Sequence, residues 1–214
     1  VYFTSGGTEA NNLALFTLLK QGQALANIKD KRVIISGIEH PAVYKPAMSL
    51  KSFGMDVVVI NAEKNGIISP EKIEKAITPN TLMVSLMFVN NETGAAQPIE
   101  AIAGIIKQKN AQGGHRCLFH SDMVQALGKM PVDLAKLGVD LASFSAHKLG
   151  GPKGCGALFV KKNLQLNSLY QGGEQEGGLR PGTENLLGIY AFGLLAREYS
   201  NQNDSNSNAA QDKM

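Results

Sequence analysis

The chain has 214 residues, of which 43% are hydrophobic, and its formal net charge at pH 7 is +3. This size allows one sizeable core, or one domain and part of another. The weak charge gives no reason to expect nucleic acid or a membrane surface as a partner, no apolar run approaches the roughly 20 residues that span a bilayer, and the first residues do not read as a secretory signal.

Strand-like and helix-like segments alternate along the chain. The predicted strands are VYFT at the start, RVIISG (32–37), DVVVINA (56–62), TLMVSLMFVN (81–90), RCLFHSD (116–122), LASFSAH (141–147) and GCGALFVKK (154–162). The predicted helices are SGGTEANNLALFTLLKQG, which ends near Gly22, HPAVYKPAMSLKSFG, which ends at a Gly54 cap, SPEKIEKAI (69–77), IEAIAGIIKQKNAQ (99–112), a short helix within QALGKMPVDLAKLG (125–138), and TENLLGIYAFGLLAREYS (183–200).

This alternation predicts an α/β fold with three layers (α/β/α), in which a mainly parallel sheet lies between helices. Continuous apolar runs such as LMVSLMFV fit parallel strands, which are buried on both faces. We assign residues 1–197 to one large domain and, because its first residues read like the end of a strand, expect that domain to be incomplete at its N-terminus. Residues 198–214 are polar, and we expect a tail or a truncated linker towards a missing C-terminal small domain.

Polar side chains follow five of the predicted strands. In such a sheet, ligands bind outside the carboxyl ends of the strands. These ends contribute Ser5 to Glu9; Glu39 and His40; Asn90, Asn91, Glu92 and Thr93; His120, Ser121, Asp122 and Gln125; and Ser145, His147 and Lys148. One such group would indicate little, but five groups at one edge predict a ligand site.

Two segments of that edge indicate the ligand's chemistry. The glycines of SGGTE open a helix whose free N–H groups and positive dipole end attract a phosphate, although helix capping by Ser5 or Thr8 would explain the same residues. Lys148 stands between apolar stretches, and a lysine that loses its proton in a dry site forms a Schiff base with a carbonyl. A turn lysine with its amine in water is the alternative.

A carboxylate and an imidazole extend this interpretation. Asp122 can keep the nitrogen of a pyridine ring protonated, and a protonated ring withdraws electrons. His40 can stack on the ring face and move protons, because imidazole titrates near neutrality. A phosphate, an aldehyde that takes a lysine, and a ring nitrogen that needs a carboxylate together describe pyridoxal 5′-phosphate.

These residues lie in motifs known from one family. The chain resembles the class V, fold type I pyridoxal-phosphate enzymes, and among them the NifS/IscS-like cysteine desulfurases. The matching stretches occur in the family's order up to about residue 197: FTSGGTEANNLAL, EH at 39–40, VNNETG at 89–94, HSDMVQALGKMPVDL at 120–134, SFSAHKLGGPKGCGALFV at 143–160 and GGEQEGGLRPGTEN at 172–185. The resemblance implies the large domain of a fold type I enzyme and a homodimer.

The resemblance also implies a role for each matching residue. It places Gly7, Thr8, Ser145 and His147 at the cofactor phosphate, His40 on the ring, Asn91 near the phenolic oxygen and the substrate carboxylate, Gln125 at the phenolic oxygen, Asp122 at the ring nitrogen, Lys148 in the Schiff base, and Thr183 at the phosphate of the neighbouring subunit. The glycines after Lys148 would give the ring room. Met123 replaces the family's usual alanine, and its bulk would bear on the fit beside the ring.

The implied activity converts L-cysteine to L-alanine, with Lys148 and His40 moving protons. A cysteine thiolate of the enzyme then takes the sulfur as a persulfide, for iron–sulfur cluster or thiolation pathways through a sulfur-acceptor scaffold protein. In the family this cysteine follows the helix after RPGTEN, beyond the end of this chain. Cys117 lies inside a strand and Cys155 in a slot that is usually apolar, so we expect neither to be the nucleophile.

Three alternatives stay open. Selenocysteine lyases share the GGTE, NNETG and RPGTEN motifs, and other class V aminotransferases share part of the pattern. The third alternative is a non-catalytic remnant that binds the cofactor or a partner without turnover. Two cysteines are too few for a disulfide framework or a zinc site, so we expect no metal and a reduced, cytoplasmic compartment.

Overall fold

The computed structural model describes residues 1–21, 29–113 and 116–211. Within these residues the strands are β1 (Tyr2–Thr4), β2 (Arg32–Ser36), β3 (Asp56–Ile60), β4 (Thr81–Ser85), β5 (Leu118–Asp122), β6 (Leu141–Ser145) and β7 (Gly156–Val160). The α-helices are α1 (Gly7–Gln21), α2 (Pro41–Ser49), α3 (Pro70–Ala76), α4 (Ile99–Ala111), α5 (Leu134–Leu137) and α6 (Leu186–Gln211).

The described strands form one sheet in the order β1-β7-β6-β5-β4-β2-β3. Strands β3, β2, β4, β5 and β6 pair in parallel, whereas β7 pairs antiparallel with both β6 and β1. The prediction of a mainly parallel sheet is confirmed. Strand β7 is the exception because the connection from Ser145 to Gly156 is shorter than the crossover of about a dozen residues that a parallel strand needs.

Helices cover both faces of the sheet. Val33 and Ile35 of β2 pack in the same core as Leu13 of α1, while Ile34 packs in the opposite core with Ile102 of α4. Successive side chains of a strand point to opposite faces, so the continuous apolar run of β2 serves both cores. This arrangement confirms the three-layer prediction.

Strand β4 and helix α6 are two of the elements that differ in length from the prediction. Strand β4 ends at Ser85 instead of continuing to residue 90. Further along, the buried Asn90 side chain accepts hydrogen bonds from the Glu92 and Thr93 N–H groups (3.0 and 2.9 Å) and holds this segment in a turn. Helix α6 begins at Leu186 and continues to Gln211. The predicted end of α1 near Gly22 lies outside the described residues.

Helix α6 continues past the predicted helix end at residue 200, and its backbone is helical as far as residue 211. No proline or glycine interrupts residues 194–211, and each residue added to an existing helix contributes one more hydrogen bond. The assignment of residues 1–197 to one domain and of 198–214 to a linker stays a prediction. None of the described helices is long and apolar enough to cross a membrane.

Candidate active site

A cavity of about 320 Å³ opens at the edge of the sheet where the parallel strands end. Its volume lies in the range of about 300–1,000 Å³ that is usual for small-molecule sites. The lining residues are Gly7, Thr8, Asn11, His40, Ala42, Met87, Asn91, Asp122, Val124, Gln125, Ser145, His147 and Lys148. The fold therefore brings together every predicted site residue except Thr183.

The start of helix α1 forms one wall of this cavity. The Gly6 carbonyl accepts the first helical hydrogen bond, from Ala10 N at 3.1 Å, so the N–H groups of the first turn have no intrahelical partner. A Cβ atom on Gly7 would lie 2.7 Å from Val124 Cγ2. Glycine at position 7 thus leaves space between the helix and the segment after β5, where free N–H groups can meet an anion.

Strand β7 passes close to the SGGT loop, residues 5–8, which leads into α1. A Cβ atom on Gly156 would lie 2.5 Å from the Gly6 carbonyl carbon and 2.8 Å from the Phe144 carbonyl oxygen. These neighbours are backbone atoms and cannot rotate away, so only glycine allows the approach. Gly156 therefore helps to set the position of the SGGT loop.

The turn after β6 carries three polar side chains to the cavity. Ser145 Oγ lies 2.8 Å from His147 Nδ1. Residues Ala146–Leu149 form one 3₁₀ turn, in which Ala146 and Leu149 are buried while His147 and Lys148 are exposed. Residues three apart share one face of such a turn, so the two residues between them point outwards. Partial desolvation by the surrounding protein lowers the pKa of His147, and the nearby charges of Lys148 and Lys153 lower it further.

Lys148 therefore has the exposed turn position that the sequence left open as an alternative, and its role in a Schiff base stays a prediction. Its side chain is exposed at the cavity, and its amine has no hydrogen-bond or ion-pair partner within the described ranges. The glycines that follow do not line the cavity. Gly150 closes the turn with a φ of +81°, a left-handed conformation that favours glycine, and Gly151 N donates to the Ala146 carbonyl at 3.0 Å.

Asp122 is the buried anion at the end of β5. Its Oδ2 accepts a hydrogen bond from Asn11 Nδ2 at 2.7 Å, and its Oδ1 accepts one from Val124 N at 3.0 Å. Burial raises the pKa of Asp122, whereas these two donors and the charge of His40 oppose that rise. The neighbouring Met123 points into the core and does not line the cavity, so its bulk does not reduce the cavity.

His120, two residues earlier, lies below the cavity and not in it. Its ring nitrogens contact Ser85 Oγ at 2.8 Å and Ser143 Oγ at 3.0 Å, which links β4, β5 and β6. Burial lowers the pKa of His120 to about 3. A neutral imidazole in this position holds the strand that carries Asp122 between its two neighbours.

His40 and Glu39 lie where β2 leads into α2. His40 Nδ1 caps the helix by accepting a hydrogen bond from Ala42 N at 3.1 Å, so the neutral ring carries its proton on Nε2. Glu39 is buried; its Oε1 accepts hydrogen bonds from Ser36 Oγ and from Met87 N (2.8 Å), and its Oε2 has no partner among the described residues. Burial raises the pKa of Glu39 to about 8.

Four of the residues that line the cavity were not predicted from the sequence. They are Asn11, Ala42, Met87 and Val124. The sequence could have indicated Asn11, because it follows Gly7 by four residues and so lies on the same face of α1. The other three are apolar, and nothing in their local pattern separates cavity wall from core.

Thr183 lies at a second, smaller cavity of about 90 Å³, whose lining includes Cys155 and Arg180. Arg180 Nε donates to Glu9 Oε1 at 2.8 Å and so ties the RPGT segment to α1.

Burial raises the pKa of Cys155, and burial with the nearby charge of Asp140 raises the pKa of Cys117 to about 12. Neither thiol is poised to ionise at neutral pH. The described residues include no cluster of three or more His, Cys, Asp or Glu side chains that could hold a metal ion.

Comparison with known proteins identifies the family. The whole chain, residues 1–214, matches the sequence profile described as aminotransferase class-V. The chain belongs to the aminotransferase class-V family. Its relatives include the cysteine desulfurase IscS of Methanosarcina thermophila, which is 43% identical over 194 residues; the match covers 90% of this chain and 45% of that relative. The chain spans about half the length of the curated relatives it matches.

Solved structures of class-V proteins share the fold. A protein described as NifS-like superposes with a TM-score of 0.83 at 38% identity, over 94% of this chain and 54% of that one. The structure "SspA in complex with cysteine" gives 0.81 at 37% identity, over 92% and 54% of the two chains. The fold is therefore that of the fold type I enzymes. Pyridoxal 5′-phosphate is the cofactor of these class V enzymes and cysteine desulfurases.

Proposed function

We propose that this chain is the cofactor-binding part of a cysteine desulfurase, which takes sulfur from L-cysteine and leaves L-alanine. The observation that carries the proposal is the single cavity in which Lys148, Asp122 and His40 meet the free N-terminus of α1. An amine, a buried carboxylate, an imidazole and an anion site form the donor set that pyridoxal phosphate requires. The space left by Gly7 gives room for its phosphate.

Each polar residue that was predicted for the cavity then has a defined role. When bound, pyridoxal phosphate supplies an aldehyde for a lysine and a ring that stabilises negative charge at the substrate Cα. Gly7, Thr8, Ser145 and His147 hold the phosphate. Asp122, kept in place by its two N–H donors, holds the ring nitrogen.

The remaining roles are to orient the cofactor and the substrate and to transfer protons. The side-chain amides of Asn91 and Gln125 orient the phenolic oxygen, and Asn91 also faces the substrate carboxylate. Lys148 Nζ, which has no partner among the described residues, would hold the cofactor aldehyde and would move a proton at the substrate Cα. His40 covers the ring and presents its Nε2 proton to the cavity, because Nδ1 is occupied by the helix cap.

The sulfur-accepting thiol is not assigned to Cys117 or Cys155. Both are buried and have raised pKa values, whereas the nucleophile in this reaction is a thiolate. We assign that role to a cysteine outside these 214 residues, in keeping with a chain that spans about half of its relatives. A sulfur-acceptor scaffold protein and a reducing, cytoplasmic compartment complete the proposal.

A homodimer is part of the proposed function. Thr183 is exposed and separate from the main cavity, as expected of a residue that serves the phosphate of a neighbouring subunit. Directly after it, α6 exposes Leu186 (73%), Leu187 (86%), Tyr190 (70%) and Leu194 (51%). Large apolar side chains clustered on one surface are typical of protein–protein contacts, and a second copy of the chain is the proposed partner.

Covalent trapping of the cofactor tests the proposal. The chain is incubated with pyridoxal phosphate, reduced with borohydride and mapped by peptide mass spectrometry. We expect the label on Lys148, no label in Lys148→Ala, and full labelling in the control Lys153→Ala, because Lys153 is exposed on the same loop but does not line the cavity. A label on another lysine, or none in the wild type, would refute the proposed site.

Substrate assays separate the alternative activities. With L-cysteine we expect no sulfide from the 214 residues alone and sulfide from the longer polypeptide that supplies the thiol. Selenide release from selenocysteine without sulfide release from cysteine would indicate a lyase instead. Cofactor binding without turnover in the longer polypeptide would indicate a non-catalytic protein.

A further inference from the structure

Asn11 is the lining residue whose contacts no predicted role explains. It lies in the second turn of α1, is 1% exposed, and donates from Nδ2 to Asp122 Oδ2 at 2.7 Å across 111 positions of sequence. Its Oδ1 has no hydrogen-bond partner among the described residues. Leaving a buried amide oxygen unpaired is costly, so the hydrogen bond from Nδ2 to Asp122 is made at the expense of Oδ1.

The orientation of the Asn11 amide bears on the charge of Asp122. An amide N–H that donates to a carboxyl oxygen favours the ionised carboxylate, since the anion is the stronger acceptor. The opposite orientation would place the amide oxygen against Oδ2 and would require a proton on Asp122. Val124 N donates a hydrogen bond only to Oδ1, so Asn11 supplies the hydrogen bond to Oδ2.

The charge of His40 also favours an ionised Asp122, but among the described residues no group other than Asn11 donates a hydrogen bond to Oδ2. The other titratable groups at the site are Glu39 and His40 at the start of α2, and His147 and Lys148 after β6. The charge of Asp122 contributes to the raised pKa of the buried Glu39, so Glu39 supplies no charge that would favour an ionised Asp122. Lys148 and His147 are exposed and are assigned to the aldehyde and the phosphate.

We propose that Asn11 is a positioning residue, which keeps the Asp122 carboxyl ionised and oriented for the ring nitrogen of the cofactor. This inference rests on the proposed function as far as the cofactor is concerned. The pairing of Asn11 with Asp122 does not, because it is a property of the cofactor-free chain and can be measured there.

The first test is the titration of the Asp122 carboxyl, followed by ¹³C NMR in the cofactor-free chain. Asn11→Leu keeps the approximate volume and removes the donor. We expect the midpoint of Asp122 to rise by about 1–2 pH units, the effect of losing one hydrogen bond to a charged group. Asn12→Leu is the matched control, because Asn12 Nδ2 donates to the Thr8 carbonyl and not to Asp122, and it should leave the midpoint unchanged. An unchanged midpoint in Asn11→Leu overturns the proposal.

Asn11→Asp is a second variant for the same titration, to be used if Asn11→Leu does not fold. Two carboxyls at hydrogen-bond distance share one proton, so the pair retains a single negative charge with an O–H donor in place of the amide. We expect Asp122 and the new carboxyl to titrate as a coupled pair that binds one more proton than the wild type near neutral pH. Independent titration of Asp122 would contradict the pairing.

The second test is cofactor binding, read from the visible absorbance of bound pyridoxal phosphate across pH. Asn11→Leu should bind about 10-fold or more weakly at pH values below the raised midpoint of Asp122, where the free carboxyl is protonated, while Asn11→Asp should restore binding near neutral pH. If the NMR midpoint shifts but binding is equal in all variants, Asn11 controls Asp122 and the cofactor assignment of Asp122 fails. If the midpoint is unchanged, the Asn11 inference fails and the proposed function stands.

Discussion

Replacing Glu39 with glutamine should remove a pH dependence from the stability of the fold. The Glu39 side chain is buried, with one oxygen held by Ser36 Oγ and Met87 N and the other unpaired. Burial raises its pKa from the usual 4.5 to about 8. The folded chain therefore keeps this carboxyl protonated at pH values where the unfolded chain has ionised it.

The sign and size of the effect follow from linkage. For an acid whose folded-state pKa is raised, the full stability is present below pH 4.5 and is lost as the pH rises through 8. A difference of about 3.5 pH units corresponds to a loss on the order of 5 kcal/mol. Glutamine resembles the protonated carboxyl, so Glu39→Gln should match the wild type at pH 5 within about 1 kcal/mol and exceed its free energy of unfolding at pH 8 to 9.

Urea unfolding measured from pH 5 to 9 provides the assay. The difference between Glu39→Gln and wild type should grow steadily with pH, whereas the control Glu92→Gln should show the wild-type profile, because Glu92 is exposed in the loop after β4. Parallel profiles for Glu39→Gln and wild type would refute the reasoning, since they would mean that Glu39 ionises in the folded chain at its ordinary pH.

Three further predictions concern Gly156, Thr183 and the two cysteines. Gly156→Ala should lower stability by about 1–3 kcal/mol and weaken cofactor binding, because its Cβ would meet Gly6 backbone atoms at 2.5 Å; Gly104→Ala, with no atom within 4 Å of its Cβ, should instead stabilise α4 by about 0.5–1 kcal/mol. Thr183→Ala should reduce cofactor retention in the homodimer, measured after gel filtration, and unchanged retention would count against a role between subunits. Alkylation of Cys117 and Cys155 at pH 7 should be slow in the native chain and fast in denaturant; rapid native labelling would contradict their burial and raised pKa values.

Much of the site could be predicted because the position of a residue directly after a strand can be read from the local sequence. Asn91, Asp122, Gln125 and Lys148 each follow a strand, and parallel strands end at one edge. The exposure of Lys148 could not be predicted in this way. Apolar residues flank it in sequence, but a 3₁₀ turn buries Ala146 and Leu149 and directs the lysine outwards.

The sequence by itself determined the alternation of strands and helices, the mainly parallel sheet and the edge at which the polar groups collect, since these depend on periodicity and on residues that follow a strand directly. Only the tertiary structure decided which polar groups are buried and with whom they pair. Asn11 reaches Asp122 across 111 positions, and Glu39 meets Met87 across 48. Burial and long-range hydrogen bonds set the charge of a carboxyl, and neither is encoded in the local pattern around it.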